Sequence, residues 1–192
     1  MYKIGFAVTG SFCSMKDLLD VLKQVCQHYD VEVFITPHVH QLDTRFYTHE
    51  ELEEKIKEIT HKDIHTTIQE AEVYGPKPQL DAVLVYPCDA TTLNKIDLGI
   101  NDNCVTMLVK SCLRNQIPIV LGVYSNDILS NSGVHLFSLF NKKNFYFVPM
   151  FQDDYQRKPQ SMIAAKDKVL DTLHFALKHQ QNQPFLLGYR KI

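Results

Sequence analysis

Five short apolar segments, rich in β-branched residues, alternate along the chain with amphipathic helical patterns. Each has the length and composition of a β-strand, and the third is apolar almost throughout, as expected when both faces of a sheet are covered. The predicted strands are KIGFAV (3–8), VEVFIT (31–36), DAVLVYP (81–87), IPIVLGV (117–123) and NFYFVP (144–149). The alternation predicts a parallel, doubly wound α/β sheet in a single domain that spans residues 1–192.

The helical patterns between these strands begin at residues that favour helix N-termini. Ser14 with Asp17, and Thr48 with Glu51, each have the spacing of a capping box. The predicted helices start at Ser14, Thr48, Asp89, Asn103 and Ser161, and the last one ends near Lys178. The polar stretch 152–161, which contains a proline, is predicted to be a loop.

The composition is that of an ordinary globular protein and argues against several classes of function. Hydrophobic residues make up 45% and charged residues 22% of the chain, and the net charge of −2 gives no sign of a nucleic-acid surface. No apolar run approaches the roughly 20 residues that span a bilayer, and the chain enters a strand pattern without a signal peptide. Five cysteines without a CxxC pair are typical of reduced thiols, which predicts a cytoplasmic protein. The HxH pair of His38 and His40 has no further ligand motif nearby, so no metal site is expected.

The segments that follow the predicted strands hold much of the unusual polar chemistry of the chain. In a sheet of this kind, ligands bind beyond the carboxyl ends of the strands, near the switch in strand order. These segments are TGSFCS, TPHVHQLDTRF, PCDATTLNK, YSNDILSNSG and PMFQDD. We therefore predict a binding site at this edge of the sheet.

The first of these segments joins a strand to a helix and has the features of a phosphate site. A helix N-terminus presents free N–H groups and a positive dipole end to an anion. Gly10 allows close backbone approach, while the hydroxyls come from Thr9, Ser11 and Ser14. The segment lacks GxGxxG and GxxxxGK[ST], which argues against a dinucleotide or a nucleoside triphosphate. A single terminal phosphate, as in FMN, would suit it, and a capped turn that binds nothing is the alternative.

Seven motifs, spread in order over residues 3–165, resemble one known family. They are GFAVTGS, LDTRF, GPKPQLD, PCDATTLNKIDLGINDN, SNDILSNSGVHL, NFYFVPMFQDD and KPQSM. They are similar to the B-subunit family of dipicolinate synthases, which belongs to the flavoproteins with phosphopantothenoylcysteine decarboxylases and flavin prenyltransferases. The resemblance implies a flavodoxin-like, Rossmann-like three-layer sandwich that binds FMN, in a trimer-based homo-oligomer.

The resemblance also implies a function shared with a partner. The partner would be the A subunit of dipicolinate synthase, which has a nicotinamide-type nucleotide-binding domain. Together they would oxidise a dihydrodipicolinate-type dicarboxylate to dipicolinate during sporulation. The alternatives are an FMN-dependent decarboxylase or prenyltransferase of the same family, a non-catalytic flavin- or phosphate-binding subunit, and a flavodoxin-like electron carrier. No residue is assigned as the catalytic base.

The resemblance makes the opening turn an FMN-phosphate loop and aligns PCDATTLNK with a family segment, Pro-x-x-x-Asn-Thr-x-x-Lys. The positions that match the family are Pro87, Thr92, Lys95, Gly99 and Asp102. Thr91 stands where the family has Asn, so a short hydroxyl replaces an amide. The candidate cofactor-binding residues are Thr9, Gly10, Ser11, Cys13, Ser14, Thr36, Pro87, Cys88, Asp89, Thr91 and Thr92.

Two cations are candidate contacts for the substrate. The guanidinium of Arg45 offers bidentate donors to a carboxylate, and dipicolinate precursors carry two carboxylates. The alternative is a salt bridge from Arg45 to Asp43 or Asp89. Lys95 is a candidate second positive charge, with a solvated surface lysine as the alternative.

The loops after the last two predicted strands add hydrogen-bonding and acidic candidates. Ser125, Asn126 and Asp127 are expected to contact the flavin or the substrate, although these residue types also form turns. Asp153 and Asp154 have the pairing of an acid and a base, or they belong to an exposed acidic loop.

Four further residues have weaker cases. Cys13 lies at a helix start, where a thiol pKa is often lowered, but no histidine is adjacent in sequence. Phe12, Phe46 and Tyr47 are expected to pack against a flavin, the core or a subunit interface.

Overall fold

The computed structural model describes residues 1–11 and 14–188. Within that part of the chain, strands and helices alternate as the sequence predicts. The strands are β1 (Lys3–Val8), β2 (Asp30–Ile35), β3 (Ile64–His65), β4 (Ala82–Cys88), β5 (Ile119–Ser125), β6 (Phe145–Phe147), β7 (Met150–Phe151) and β8 (Met162–Ala164). The helices are α1 (Met15–His28), α2 (Pro37–Gln41), α3 (His49–Thr60), α4 (Ile68–Glu72), α5 (Ala90–Leu98), α6 (Cys104–Leu113), α7 (Gly133–Phe140) and α8 (Val169–Ala176), with a 3-10 turn at Lys166–Lys168.

The strands form one sheet in the order β3-β2-β1-β4-β5-β8-β7, and β6 also pairs with β5. The pairs among β1 to β6 are parallel, while β8 is antiparallel to both β5 and β7. All five predicted strands are present, as β1, β2, β4, β5 and β6. The doubly wound α/β architecture is confirmed, and the antiparallel β7–β8 hairpin is an addition that the sequence did not predict.

Helices cover both faces of this sheet because successive strand residues point to opposite sides. On one side, Ile4 and Phe6 of β1 belong to an apolar cluster with α1, α3 and α8. On the other side, Ala7 of the same strand belongs to a second cluster with α4 to α7. The two clusters make the sheet a middle layer, so its carboxyl edge remains the open place for a ligand.

The predicted helix caps differ in outcome. Thr48 and Glu51 form the full capping box at α3. At α1 the predicted box is wrong, because Ser14 is itself in helical conformation and its side chain caps nothing. Asp17, its predicted partner, instead binds Lys166 at 2.6 Å. Asn103 caps α6 as predicted.

The last predicted helix is wrong at its start. Met162–Ala164 is strand β8, followed by the 3-10 turn, and α8 begins only at Val169. The spacing of apolar residues here fits a helix and a short strand equally, and pairing with Tyr124 and Ser125 of β5 decides for the strand. The short elements α2, β3 and α4 and the helix α7 were not predicted either.

The four cysteines in the described part of the chain are free thiols: Cys26, Cys88, Cys104 and Cys112. Burial raises the pKa of Cys104 and of Cys112 to about 12, so both thiols are protonated and unreactive at neutral pH. No helix among the described residues is long and apolar enough to cross a membrane.

Candidate functional site

A cavity of about 720 Å³ lies at the carboxyl edge of the parallel sheet, within the range of about 300–1,000 Å³ usual for small-molecule sites. Its walls come from the ends of β1, β4 and β5, from the region after β2, and from the β7–β8 hairpin. The lining residues are Gly10, Ser11, Ser14, Lys16, Asp17, His38, Arg45, Asp89, Ala90, Thr91, Tyr124, Ser125, Asn126, Asp127, Asp153, Lys158 and Ile163. The cavity therefore brings together segments that lie far apart in the sequence.

The turn between β1 and α1 presents two of the predicted hydroxyls to the cavity. The Ser14 N–H donates to the Ser11 carbonyl at 2.9 Å, and the two Oγ atoms are 3.3 Å apart. Thr9 has another role, since it is fully buried and its Oγ1 donates to the Pro87 carbonyl at 2.7 Å. The same oxygen accepts from the Asp89 N–H at 2.9 Å, so Thr9 holds the ends of β1 and β4 together. Cys13 and Phe12 lie outside the described residues.

Thr36, at the carboxyl end of β2, carries a buried hydroxyl with nothing to bond. Its side-chain oxygen has no hydrogen-bond partner among the described residues, although its N–H donates to the Val8 carbonyl at 3.1 Å. An unpaired buried hydroxyl costs about 1–3 kcal/mol. Thr36 is not among the residues that line the cavity. It follows β2, which pairs with β1, so its hydroxyl is a candidate donor to an anion bound at the first turn.

The segment after β4 divides between the cavity and the core. Asp89 caps α5, because its Oδ1 accepts from the Thr92 N–H at 2.6 Å, and it also lines the cavity. Thr91 is exposed on the cavity wall, whereas Thr92 and Cys88 are buried. Burial raises the pKa of the Cys88 thiol well above its usual value, so this side chain belongs to the core.

Residues of α5 that match the family segment stabilise the helix and its exit. Lys95 is not among the lining residues and forms an ion pair with Asp102 at 2.6 Å. Gly99 ends the helix at φ 72°, a conformation that glycine adopts without strain. The motif therefore encodes local structure as well as a site.

Arg45 reaches the cavity from a turn between α2 and α3. Thr44 Oγ1 accepts from the N–H groups of Phe46 and Tyr47, both at 3.1 Å, which fixes the turn that carries Arg45. The guanidinium carbon lies 4.7 Å from the centre of the Phe46 ring. Asp43, one alternative partner, is bonded to His49 at 2.9 Å instead. Arg45 forms no ion pair with any described residue, so its charge is available to an anion. Phe46 and Tyr47 pack against the core.

Two lysines of the cavity were missed by the sequence analysis. Lys16 lies in the first turn of α1 and has no ion pair among the described residues, and Lys158 lies on the hairpin loop. Lys158 pairs with Asp153 at 3.1 Å. Burial raises the pKa of Asp153, but Ser161 and Lys158 outweigh it, so the pKa is lowered and the carboxylate is charged. No sequence signal marked either lysine, since only the hairpin and the α1 turn bring them to the site.

The segment after β5 is partly occupied with its own hydrogen bonds. Ser125 donates to one oxygen of Asp127, and Ser132 donates to the other at 2.7 Å. Asn126 is exposed, and its amide makes no hydrogen bond within the described residues. Of the three predicted side chains, Asn126 is the one most free to bind a ligand. Asp154, in the loop after β7, accepts from the Arg157 N–H at 3.0 Å and does not line the cavity.

The cavity wall also contains a tyrosine that the sequence analysis missed. The hydroxyl of Tyr124, at the end of β5, lies 2.7 Å from the hydroxyl of Tyr86 in β4. Burial raises the pKa of Tyr124 to about 12, so the phenol stays protonated at neutral pH. The signal that could have found it is its position one residue before the predicted Ser125.

The histidines do not form a metal centre in the part of the chain that the structure describes, where no group of three or more His, Cys, Asp or Glu could hold an ion. His40 bonds to Glu53 at 2.5 Å, and His38 lines the cavity.

Comparison with known proteins agrees with this fold. The model of the Flavoprotein family matches residues 1–152. A solved FMN-dependent cysteine decarboxylase has the same fold, with a TM-score of 0.69 at 17% identity over 93% of this chain and 96% of that one. The family match defines the class of the protein as a flavoprotein, and the structural match shows the shared fold.

Two proteins with higher sequence identity to this chain narrow the class. The B subunit of dipicolinate synthase from Bacillus subtilis is 36% identical over 96% of this chain and 93% of the relative. The crystal structure of the dipicolinate synthase B subunit from Bacillus halodurans has a TM-score of 0.90 at 34% identity, covering 98% of this chain and 97% of that one. The chain therefore belongs to the flavoprotein family, and within it to the group of dipicolinate synthase B subunits.

Proposed function

We propose that the protein binds FMN at the carboxyl edge of its sheet and acts with a dipicolinate synthase A subunit to oxidise a dihydrodipicolinate-type precursor to dipicolinate. The observation that carries FMN binding is the unpaired, buried hydroxyl of Thr36, which is not part of the cavity lining but follows the strand paired with β1, next to the first turn. The similarity to the B subunits of dipicolinate synthases supports the substrate and the partner.

The turn before α1 would hold the FMN phosphate. Ser11 and Ser14 supply hydroxyls on the cavity wall, and the α1 N-terminus supplies a positive dipole end. The buried hydroxyl of Thr36, which is not part of the cavity lining, would be a further donor. Thr91 and Asn126, on the walls after β4 and β5, would contact the ring system. When bound, FMN would supply a two-electron acceptor for hydride.

The cations of the cavity would hold the substrate. A dihydrodipicolinate-type ring carries two carboxylates, and Arg45, Lys16 and Lys158 line the same space. Lys95 does not line the cavity and is paired with Asp102, so we assign this role to Lys16 and Lys158, which do line it. Fixing both carboxylates orients the ring and removes the orientational freedom that opposes reaction.

The reaction removes two hydrogens from the ring, one as hydride to a redox cofactor and one as a proton to a base or to water. Aromatisation of the product supplies much of the driving force. The task of this chain is therefore to orient the ring, neutralise its carboxylates and exclude water. Asp153 lines the cavity, but its paired, low-pKa carboxylate is a weak base.

We also propose that the protein acts in the cytoplasm, as a single domain of residues 1–192, in a homo-oligomer. The oligomer contact is assigned to an exposed apolar surface made by Leu129, Val134, Phe137 and Leu186. Exposed apolar patches of this kind commonly mark protein contacts. Three of these residues, Leu129, Phe137 and Leu186, also line an apolar groove of about 240 Å³.

Absorbance and binding measurements with Thr36→Val test the proposal that the protein binds FMN. The substitution removes the unpaired hydroxyl, so we expect the ligand-free protein to gain stability while FMN binds about tenfold more weakly. Thr60→Val is the control, because Thr60 Oγ1 donates within α3 and lies outside the cavity. FMN binding that is equally strong in wild type and Thr36→Val would contradict the proposed phosphate site.

Reconstitution tests the reaction. The purified chain, mixed with the A subunit, a nicotinamide cofactor and the precursor, should form dipicolinate faster than the A subunit does without this chain. A colourless protein that FMN does not stabilise, yet that still activates its partner, would favour a non-catalytic role.

A further inference from the structure

We infer that Tyr124 donates its phenolic hydrogen to a carboxylate oxygen of the ligand in the cavity, and that the buried hydroxyl of Tyr86 fixes this direction. The identity of the ligand, a pyridine-type dicarboxylate, rests on the proposed function. The direction of the hydrogen bond rests on the structure alone.

Tyr86 has one hydrogen-bond partner in the described part of the chain. Its side chain is 0% exposed, and among the described residues its hydroxyl bonds only to the Tyr124 hydroxyl, at 2.7 Å. Tyr124 differs, because 8% of its surface is exposed and it lines the cavity. Of the two side chains, Tyr86 is therefore closed off from the cavity and Tyr124 adjoins it.

Either hydroxyl of the pair could donate the hydrogen bond to the other, and burial favours one of these two directions. If Tyr124 donated to Tyr86, the Tyr86 hydrogen would be buried with no acceptor, at a cost in the range of a lost hydrogen bond. If Tyr86 donates to Tyr124, the Tyr86 hydroxyl is satisfied. The hydrogen of Tyr124 then remains free to bond an acceptor in the cavity.

The packing around Tyr86 prevents its ring from turning to another partner. A methyl group at Gly122 would lie 2.5 Å from Tyr86 Cδ2, so the ring rests directly on the backbone of β5. The rings of Phe6 and Tyr124 meet it edge-on, with centroids 6.4 and 5.4 Å away. The donor direction is thus set before any ligand arrives.

The chemistry of Tyr124 suits a carboxylate. Burial raises its pKa to about 12, more than the hydrogen bond received from Tyr86 lowers it. The phenol is therefore a neutral donor that lines the same cavity as the cations Arg45 and Lys158. A hydrogen bond to a charged acceptor is among the stronger ones in proteins.

Direct binding of dipicolinate, measured by calorimetry on the purified chain, tests the inference with three variants. Tyr124→Phe should raise the Kd for dipicolinate about tenfold or more and leave the Kd for FMN within about twofold. Tyr86→Phe should raise the Kd for dipicolinate by less than about threefold, because the Tyr124 hydrogen remains available to the ligand. Tyr146→Phe is the control, since Tyr146 is equally buried but bonds to His179, outside the cavity.

The outcomes separate this inference from the proposed function. An unchanged dipicolinate Kd in Tyr124→Phe, or tighter binding in Tyr86→Phe, would mean that Tyr124 donates to Tyr86 and would overturn the inference. A wild-type chain that does not bind dipicolinate, or a Tyr124→Phe chain that loses only FMN, would also overturn it. Failure to bind FMN or to activate the A subunit would refute the proposed function. The dipicolinate Kd values of the tyrosine variants would still test the inference.

Discussion

At the residue scale, neighbours in space decide what a side chain does. Ser14 and Thr48 have the same sequence signal, but only Thr48 caps its helix. Thr9 and Thr36 end adjacent strands, yet Thr9 is fully bonded within the chain and Thr36 is not. Sequence alone identifies the polar residues at the edge, whereas the fold decides which of them are free for a ligand.

The two caps give a stability prediction at this scale. Thr48→Ala should lower the free energy of unfolding by about 1 kcal/mol, because it removes the side-chain acceptor of the Glu51 N–H. Ser14→Ala should have little effect, since its side chain caps nothing. Urea unfolding of both variants measures the difference, and equal losses would contradict the assigned caps.

At the scale of elements, the β7–β8 hairpin completes the site. Its pairing with Tyr124 and Ser125 extends the sheet at the carboxyl end of β5. The Gln160 carbonyl accepts from the Leu129 N–H at 3.0 Å, which ties the hairpin loop to the segment before α7. This arrangement brings Lys158 to the cavity.

A second link between elements joins α5 to α7. Asp97 accepts from His135 at 2.8 Å, from Ser138 at 2.6 Å and from Lys142 at 2.7 Å. Burial alone would raise the pKa of Asp97, but these hydrogen bonds outweigh it and lower the pKa to about 2. The carboxylate therefore stabilises the contact between the two helices in its charged form.

This pKa predicts how stability depends on pH. The folded pKa of Asp97 lies below the ordinary value near 4, so its contribution is complete above about pH 4 and is lost as the pH falls through about 2. Asp97→Asn should lower the free energy of unfolding at pH 7 by about 2 kcal/mol. The difference in the free energy of unfolding between the variant and the wild type should become smaller from pH 4 to pH 2.

Thermal or urea unfolding over this pH range measures the difference in stability between Asp97→Asn and the wild type. Asp171→Asn is the matched control, because Asp171 is exposed and its nearest cation, Lys168, is 3.9 Å away. A gap for Asp97→Asn that does not change with pH would show that the network does not depend on the charge.

At the scale of the whole molecule, one edge of the sheet gathers the ligand-facing chemistry, and an apolar surface lies elsewhere. The cavity is lined by polar and charged residues from the strand ends. The surface of Leu129, Val134, Phe137 and Leu186 is exposed and apolar. The first feature supports ligand binding, and the second supports self-association.

The proposed oligomer contact is tested by Phe137→Asp. Phe137 is 50% exposed, so an aspartate there should not disturb the core, but a buried carboxylate at an intermolecular contact is costly. We expect light scattering after gel filtration to give a smaller mass than for wild type. Val73→Asp, an equally exposed substitution next to α4, should leave the mass unchanged. An unchanged mass for Phe137→Asp would contradict the assigned contact.

The sequence by itself determined the α/β class, the five main strands and the edge of the sheet where the cavity lies. These follow from local periodicity and from the geometry of parallel sheets, which hold wherever such segments pack together. Only the tertiary structure decided that Met162–Ala164 forms a strand and that Arg45 has no ion pair among the described residues. It also decided the ion pair of Lys95 with Asp102 and the hydrogen bond between Tyr86 and Tyr124. The last two pairings join residues 7 and 38 positions apart in the chain. The choice between such partners is made by packing and by the cost of leaving a buried polar group unpaired, and neither is encoded in local spacing.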